Sequence, residues 1–374
     1  MNILVLGGTG AMGIPLVNKL ALENKIYVTT RGFKESTGNI KYLQGNATQI
    51  DFIDQILGMM QWDVIVDFMV HSETNLKVFL PKFLDNTRQY IFISSARVYA
   101  QTEELITEDS PRLLEASTDV EYLKTNEYAL AKAREEDLLL KSGRKNFTII
   151  RPSITYNSNR LQLGVLEKEN WLYRALQGRS IVFSNDINDK LTTMTHGYDV
   201  SMGISSLIGR NEALGQVFHI TYPTSLLWSE VLSIYLSVLE KHLGHKVNVV
   251  MTEKSTNLKF KNRVYQVIYC RYFNRTFDNK KIAKFYDIST FTSPQNGLIA
   301  SLEEFLKKPH FLNISWELEA VNDRVAGERT PLKEIPTIWD KVTYFCYRNN
   351  MVFMLGKIRH VLSILAQIKN KIRK

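Results

Sequence analysis

The stretch Asn2-Ile3-Leu4-Val5-Leu6-Gly7-Gly8-Thr9-Gly10-Ala11-Met12-Gly13 decides the fold. Four consecutive apolar residues, Ile3 to Leu6, read as a strand buried on both faces. The glycines then make a turn, and Ile14-Pro15-Leu16-Val17 with Leu20 continues at helical spacing. A strand, a glycine turn and a helix in succession form a site for a pyrophosphate. Backbone N–H groups and the positive helix end face the anion, and residues without a Cβ let the backbone come close. Gly7, Thr9, Gly10, Ala11, Met12 and Gly13 are therefore candidate cofactor contacts. The spacing is Gly7-x-x-Gly10-x-x-Gly13 rather than G-x-G-x-x-G, and the competing reading is a glycine-rich turn that binds nothing.

Working outward, Lys25 to Thr30 reads as a second strand ending at Arg31-Gly32. An acidic residue at that strand end would suit the ribose hydroxyls of NAD, whereas an arginine suits the extra phosphate of NADP. Arg31 thus favours NADP over NAD; the alternative is a solvated arginine. Lys41 to Gln44 reads as a third strand followed by Gly45-Asn46, with Asn46 a candidate adenine contact. Asp63 to Phe68 and Tyr90 to Ser95 read as strands four and five, with helices near residues 51–60 and 73–84 between them. Strands alternating with helices imply a doubly wound parallel sheet of the α/β class. Ligands sit at the carboxyl ends of such strands, where the glycine turn, Arg31, Asn46, Phe68 and Ser95 all fall.

With 374 residues, 44% of them hydrophobic and 23% charged, the chain has ample material for a large core. Two cysteines, Cys270 and Cys346, give neither a metal spacing nor a disulfide framework, so a reducing, cytoplasmic setting is expected and no metal is. No signal sequence is expected ahead of the first strand, and no apolar run reaches the roughly 18 residues of a spanning helix. The net charge of +9 is uneven: residues 341–374 hold eight basic side chains and no acidic one, leaving about +1 for the rest. A nearly neutral body argues against nucleic-acid binding.

After a polar loop, Val120 to Ser142 reads as one long helix carrying Tyr128-Ala129-Leu130-Ala131-Lys132. Tyr and Lys at i and i+4 share a helix face. An ammonium near a phenol lowers the phenol pKa from its usual ~10. A tyrosine so tuned can exchange a proton while hydride moves at the same carbon.

These motifs resemble the extended short-chain dehydrogenase/reductases, the NAD(P)-dependent epimerase/dehydratase family, from residue 1 to about 225. Phe92 to Tyr99 resembles the strand that delivers the catalytic serine, and alignment on Val98-Tyr99 selects Ser95. Ile106 to Pro111 resembles a loop beside the active site. Arg151-Pro152-Ser153-Ile154-Thr155-Tyr156 resembles the segment that passes the nicotinamide, His196 to Val200 a structural segment, and Gly215 to Ile220 a strand of the substrate lobe. The resemblance implies Ser95, Tyr128 and Lys132 as the catalytic set. It adds Phe68, Tyr128, Lys132, Arg151 and Pro152 to the cofactor contacts.

The chain also departs from the family. Its dehydratases carry Thr-Asp-Glu where Ser95-Ala96-Arg97 stand, which removes the acid and base for water elimination. Thr192 replaces the arginine that pairs with nucleotide phosphates in many epimerases, with Lys190 nearby. Asn46 stands for an aspartate and Asn157 for a glycine. Arg97, Asn157 and Lys190 are candidate substrate contacts.

The resemblance implies a Rossmann-like dinucleotide domain over residues 1–155, with parts of 190–220 returning to it, and a smaller substrate lobe over 156–340. A basic amphipathic tail, 341–374, completes the chain. The Tyr- and Arg-rich segment 260–275 reads either as an anion-binding, substrate-side surface or as an amphipathic helix with a solvated basic face. In the tail, Met351, Met354, Ile358, Val361, Leu365, Ile368 and Ile372 make one helical apolar stripe. That stripe can pack on the body, pair with a second subunit in a homodimer, or lie peripherally on an anionic membrane through residues 345–374. The expected activity is hydride transfer on a sugar or sugar-nucleotide carbon, as an epimerase or as an NADPH-dependent reductase of another carbonyl. The contrasting expectation is a non-catalytic NADP-binding protein docked through its tail.

Overall fold

The computed structural model describes residues 1–258 and 263–356. Seven strands form one parallel sheet: β1 (Asn2–Leu6), β2 (Lys25–Thr30), β3 (Ile40–Gln44), β4 (Trp62–Asp67), β5 (Thr87–Ile93), β6 (Phe147–Pro152) and β7 (Gln216–Ile220). Their order is β7-β6-β5-β4-β1-β2-β3. The apolar run of β1 is explained by its place: it pairs in parallel with β2 on one side and β4 on the other, and its side chains meet core on both faces. Ile3 and Val5 join the cluster under helices α1 (Gly13–Leu20) and α6 (Gly197–Leu207). Leu4 and Leu6 join the opposite cluster, under α2 (Ile50–Leu57), α3 (Glu73–Asp85) and α4 (Tyr128–Leu140). Strand order reverses at β1, which leaves a crevice at its carboxyl end, directly above the glycine turn.

The segment Gly215 to Ile220, expected in the substrate lobe, supplies β7 and pairs in parallel with β6 of the main sheet. Phe218 and Ile220 are apolar and buried in its core, and Gly203 of α6 lies tight against Ile220.

The expected helix over 120–142 is interrupted. A short turn of helix covers Val120–Leu123, and α4 starts afresh at Tyr128. The cause is Glu127, which takes an extended conformation and accepts the Ala129 N–H with its carboxylate, capping the new helix. Tyr128 therefore stands at the first position of α4, and Lys132 one turn further on.

The remaining helices build the lobe: α5 (Lys168–Leu176), α7 (Trp228–Leu243), α8 (Pro294–Lys307), α9 (Trp316–Ala326) and α10 (Ile338–Arg348). Its core stacks Trp171 on Tyr235, with ring centroids 4.6 Å apart, among Leu172, Val231 and Leu298. Two short parallel pairs, Ile154–Tyr156 with Met194–His196 and Ile181–Ser184 with Val249–Thr252, tie the lobe together.

The basic tail is not one helix. The buried face of α10, with Thr343, Tyr344 and Cys346, lies over α9, and Asn350 at φ 56° then breaks the helical run. Of the predicted stripe, Met351 and Met354 are half-buried, while Ile358, Val361, Leu365, Ile368 and Ile372 lie outside the described residues. No described helix is long and apolar enough to cross a membrane.

Candidate active site

The glycine turn is shaped by close approach. Gly7 has φ 71°, a region that costs side-chain-bearing residues, and its N–H donates to Thr29 Oγ1 of β2 at 3.0 Å. A Cβ on Gly13 would lie 2.5 Å from the Gly8 backbone, so only glycine lets α1 begin this near the end of β1. Ser201 Oγ of α6 donates to Met12 O at 2.6 Å and pins the turn from behind. No side chain caps α1, no carboxylate sits in its first turn, and the space around Gly10 is open. These residues fit a dinucleotide pyrophosphate: free N–H groups and the positive end of the helix face an unobstructed approach.

Met12 and Phe68 carry that approach into a cavity of about 400 Å³ between the sheet and the lobe. Ser95, Arg97, Tyr128, Lys132 and Pro152 line it. The adjacent serines at the end of β5 differ in use. Ser94 Oγ donates to Glu136 at 2.5 Å, so its hydroxyl is taken up inside the protein. Ser95 Oγ accepts only the Arg97 N–H at 3.2 Å, which leaves its proton free for a ligand.

Tyr128 is 38% exposed and Lys132 2%. The phenol is therefore accessible from the cavity, whereas the ammonium is held in the protein. Lys132 Nζ donates to Glu135 Oε2 at 2.8 Å and stands 4.5 Å from the centre of the Phe92 ring. Burial pushes the Glu135 carboxyl above the usual range even with Lys132 beside it. On the other side of Tyr128, the Arg97 guanidinium lies 5.3 Å from the ring centre and is ion-paired with Glu127.

Asp67, at the end of β4, accepts from Tyr90 OH at 2.7 Å and pairs with His71 Nε2 at 2.8 Å. Burial opposes both charges, but the pairing wins: Asp67 is held below the carboxylate range and His71 above its ordinary value. His71 is also in electrostatic contact with Lys132 and Glu135. This cluster was not read from the sequence, since it joins β4, β5 and α4.

Several expected contacts stand elsewhere. The Arg151 side chain does not line the cavity: it is buried, makes two bonds to Glu136 at 2.8 and 2.7 Å and donates to Glu108 O. It fastens β6 to α4, while Pro152, Ser153, Ile154 and Thr155 of the same segment line the cavity. Asn157 Oδ1 accepts the Asn159 and Arg160 N–H groups in a turn, and the Lys190 ammonium lies 3.8 Å from Asp189; neither residue lines the cavity. Asn46 Oδ1 is occupied by the Thr48 N–H and hydroxyl. Arg31 is exposed at the end of β2. Among the described residues, no group of three or more His, Cys, Asp or Glu side chains is placed to hold a metal ion.

The 260–275 segment matches neither of its two readings in full. Its described part has a π-helical turn over Val267–Arg271, with Tyr272 N bonded to Val267 O at 3.1 Å, five residues back. Such turns re-aim side chains. Here Cys270 and Arg271 line the cavity together with Arg275, and all three are buried rather than on a solvated face. Trp228 both belongs to the lobe core and lines the cavity.

Residues 62–182 match the family described as "Male sterility protein". No curated protein matches the sequence. Among solved structures, WbmH from Bordetella bronchiseptica in complex with NAD+ is similar with a TM-score of 0.62 at 13% identity, covering 83% of this chain and 99% of that one. UDP-glucuronic acid 4-epimerase from Bacillus cereus, in complex with UDP-glucuronic acid and NAD, is similar at 0.60 and 16%, covering 82% and 99%. dTDP-glucose 4,6-dehydratase from Bacillus anthracis, in complex with NAD, is similar at 0.60 and 17%, covering 82% and 97%. The seven-stranded sheet, its glycine turn and the lobe above it thus give this chain the fold of these three structures.

Proposed function

We propose that this chain is an NAD(P)-dependent enzyme that moves hydride to and from a carbinol or keto carbon of a carbohydrate-type substrate, as an epimerase. One observation carries the reading: Ser95, Tyr128 and Lys132 meet in a single cavity that continues from the glycine turn. When bound, the dinucleotide supplies or accepts the hydride. Ser95 donates a hydrogen bond to the substrate oxygen. As hydride arrives at a carbonyl carbon, Tyr128 gives its phenolic proton to the oxygen, and in the reverse direction it takes that proton back. Lys132, held by Glu135, presents a fixed positive charge beside that exchange and toward the cofactor ribose.

Elimination of water is not part of the reading, because the positions after Ser95 are Ala96 and Arg97, which provide neither acid nor base. The neighbours that act on nucleotide-linked sugars support a carbohydrate-type substrate at the level of the fold. Arg31 supports a second reading, an NADPH-consuming reductase, since no carboxylate stands at the end of β2 to favour NAD.

Native mass spectrometry of the purified full chain, together with turnover of Tyr128→Phe, tests the proposal. A retained dinucleotide is expected for an epimerase, whose hydride returns to the substrate. An empty protein that binds added NADPH would indicate the reductase. Tyr128→Phe should lose turnover by at least about a hundredfold while binding dinucleotide as before. Undiminished turnover in that variant, or no binding of either dinucleotide, would overturn the reading.

A further inference from the structure

The part of the cavity wall that holds Arg271 and Arg275 is rich in positive charge. Arg271 is 3% exposed and Arg275 6%, and neither forms an ion pair with any carboxylate among the described residues. Arg271 instead donates to Gly164 O at 2.9 Å, to Cys270 Sγ at 2.9 Å and to Gln162 Oε1 at 3.2 Å. Gln162 in turn donates to Glu167, which places that carboxylate one residue removed. Arg275 donates to the carbonyls of Tyr99, Ala100 and Tyr269, and its buried Nε has no partner. The third cation, Arg97, has one carboxylate, Glu127, and also leaves a buried Nε unpartnered.

Arg97, Arg271 and Arg275 thus have one ion-paired carboxylate, Glu127 on Arg97, and one beyond hydrogen-bond reach, Glu167, which acts on Arg271. Burial pushes the Cys270 thiol up, but Arg271, Arg275 and Arg97 outweigh it and hold the thiol below its ordinary value. With the thiol neutral, three guanidiniums face these two carboxylates. The residues outside the described set include no Asp or Glu to supply the difference. A buried charge without a counter-ion is costly, and a protein keeps one where a ligand completes it. Guanidiniums with free N–H groups present a fork that matches carboxylate and phosphate oxygens.

We propose that the substrate of this site carries a carboxylate or phosphate on the same portion that reacts, bound by Arg271 and Arg275 while the reacting carbon faces Tyr128. The assignment rests on the proposed hydride-transfer reading for the role of Tyr128, and on the cavity alone for the anion. Its reach is set by the single enclosure: the two arginines line the same space of about 400 Å³ as Ser95 and Tyr128, so the acid and the reacting carbon belong to one compact unit.

The test uses the full chain and four probes: glucuronate, glucose 6-phosphate, glucose and UDP, each titrated by calorimetry at low and at high salt, with NADPH binding followed in the same preparation. The expected result is that glucuronate or glucose 6-phosphate binds at least tenfold more tightly than glucose and weakens with salt. Which of the two binds identifies the acid. The preference should fall at least tenfold in Arg271→Gln and in Arg275→Gln, with NADPH affinity unchanged. Arg275→Lys, which keeps the charge but loses the fork, should fall between wild type and Arg275→Gln. If these variants fail to fold, the charged-against-neutral comparison in the wild type still decides. Equal affinities for glucose and both acids would overturn the proposal, and so would binding of UDP alone, which would assign the arginines to a nucleotide handle. NADPH binding without a preference for acids would remove this proposal and leave the function standing. A preference for acids without NADPH binding would do the reverse for the anion site.

Discussion

Lys132 Nζ lies 2.8 Å from Glu135 Oε2, with the side chains 2% and 1% exposed. Lys132 is one turn of α4 beyond Tyr128, so in the proposed function the charge it offers the phenol and the cofactor ribose is held by a carboxylate the solvent does not reach. Taking two charges out of water is expensive, and removing only one of them strands the other. Glu135→Gln should therefore lower stability by about 3 kcal/mol, measured by urea unfolding. It should also weaken dinucleotide binding several-fold, because Lys132 loses its anchor. Unaltered dinucleotide affinity in a folded Glu135→Gln protein would mean that Glu135 does not position Lys132.

Arg31 gives a second expectation. It stands exposed at the end of β2, where its charge can meet a 2′-phosphate. Arg31→Asp replaces attraction with repulsion toward that phosphate and offers two acceptors to the ribose hydroxyls of NAD. NADPH affinity should fall at least about tenfold, or roughly 1.4 kcal/mol, with NADH affinity equal or improved. Fluorescence titration with both nucleotides reads the change. A parallel loss for both would show that Arg31 serves the turn rather than the phosphate.

How much of this was legible in the sequence depends on the range of each interaction. β1, the glycine turn and α1 were legible because strand burial and the Gly7-x-x-Gly10-x-x-Gly13 spacing are local, and Tyr128 and Lys132 because one helix carries both. The break before Tyr128 was not, since the cap comes from Glu127, a residue that also suits a helix interior. Arg151 was assigned to the cofactor from its segment, but its guanidinium is taken by Glu136, a partner on another element. Arg271 and Arg275 are legible only as part of the Tyr- and Arg-rich segment 260–275. The burial of Arg271 depends on a π-helical turn and on contacts with Gly164 and Gln162, and that of Arg275 on the carbonyls of Tyr99 and Ala100, all more than a hundred residues away.

The glycine turn can be probed by adding single methyl groups. A Cβ at Gly13 would sit 2.5 Å from the Gly8 backbone, whereas at Gly10 it would meet nothing within 4 Å. Gly13→Ala must move either α1 or the turn, at a cost of roughly 1–3 kcal/mol, and it should abolish dinucleotide binding. Gly10→Ala should stay within about 0.5 kcal/mol of wild type. Thermal melts of the two variants compare the same chemical change at two sites three positions apart in sequence but opposite in the space available; equal melting temperatures would contradict the close packing of Gly13 on Gly8.

The Asp67–His71 pair makes stability depend on pH in a defined direction. His71 faces Asp67 from β4, with Tyr90 of β5 bonded to the same carboxylate and Lys132 and Glu135 of α4 in electrostatic reach. Burial alone would lower the His71 pKa, and Asp67 raises it above the ordinary value of 6.5. The folded protein therefore keeps the His71 proton to a higher pH than the unfolded chain does. The stabilisation this provides is complete below the unfolded value and is lost as pH rises through the folded one. Asp67, held below its ordinary 3.8, contributes in the opposite range: its share is present above that value and is lost on acidification. Wild type should therefore exceed His71→Asn in stability by more at about pH 6 than at about pH 9, read from urea midpoints of both proteins. A gap that stays constant or widens toward alkaline pH would show that His71 is neutral in the folded protein and that Asp67 draws its stabilisation from Tyr90 and the Met69 N–H alone.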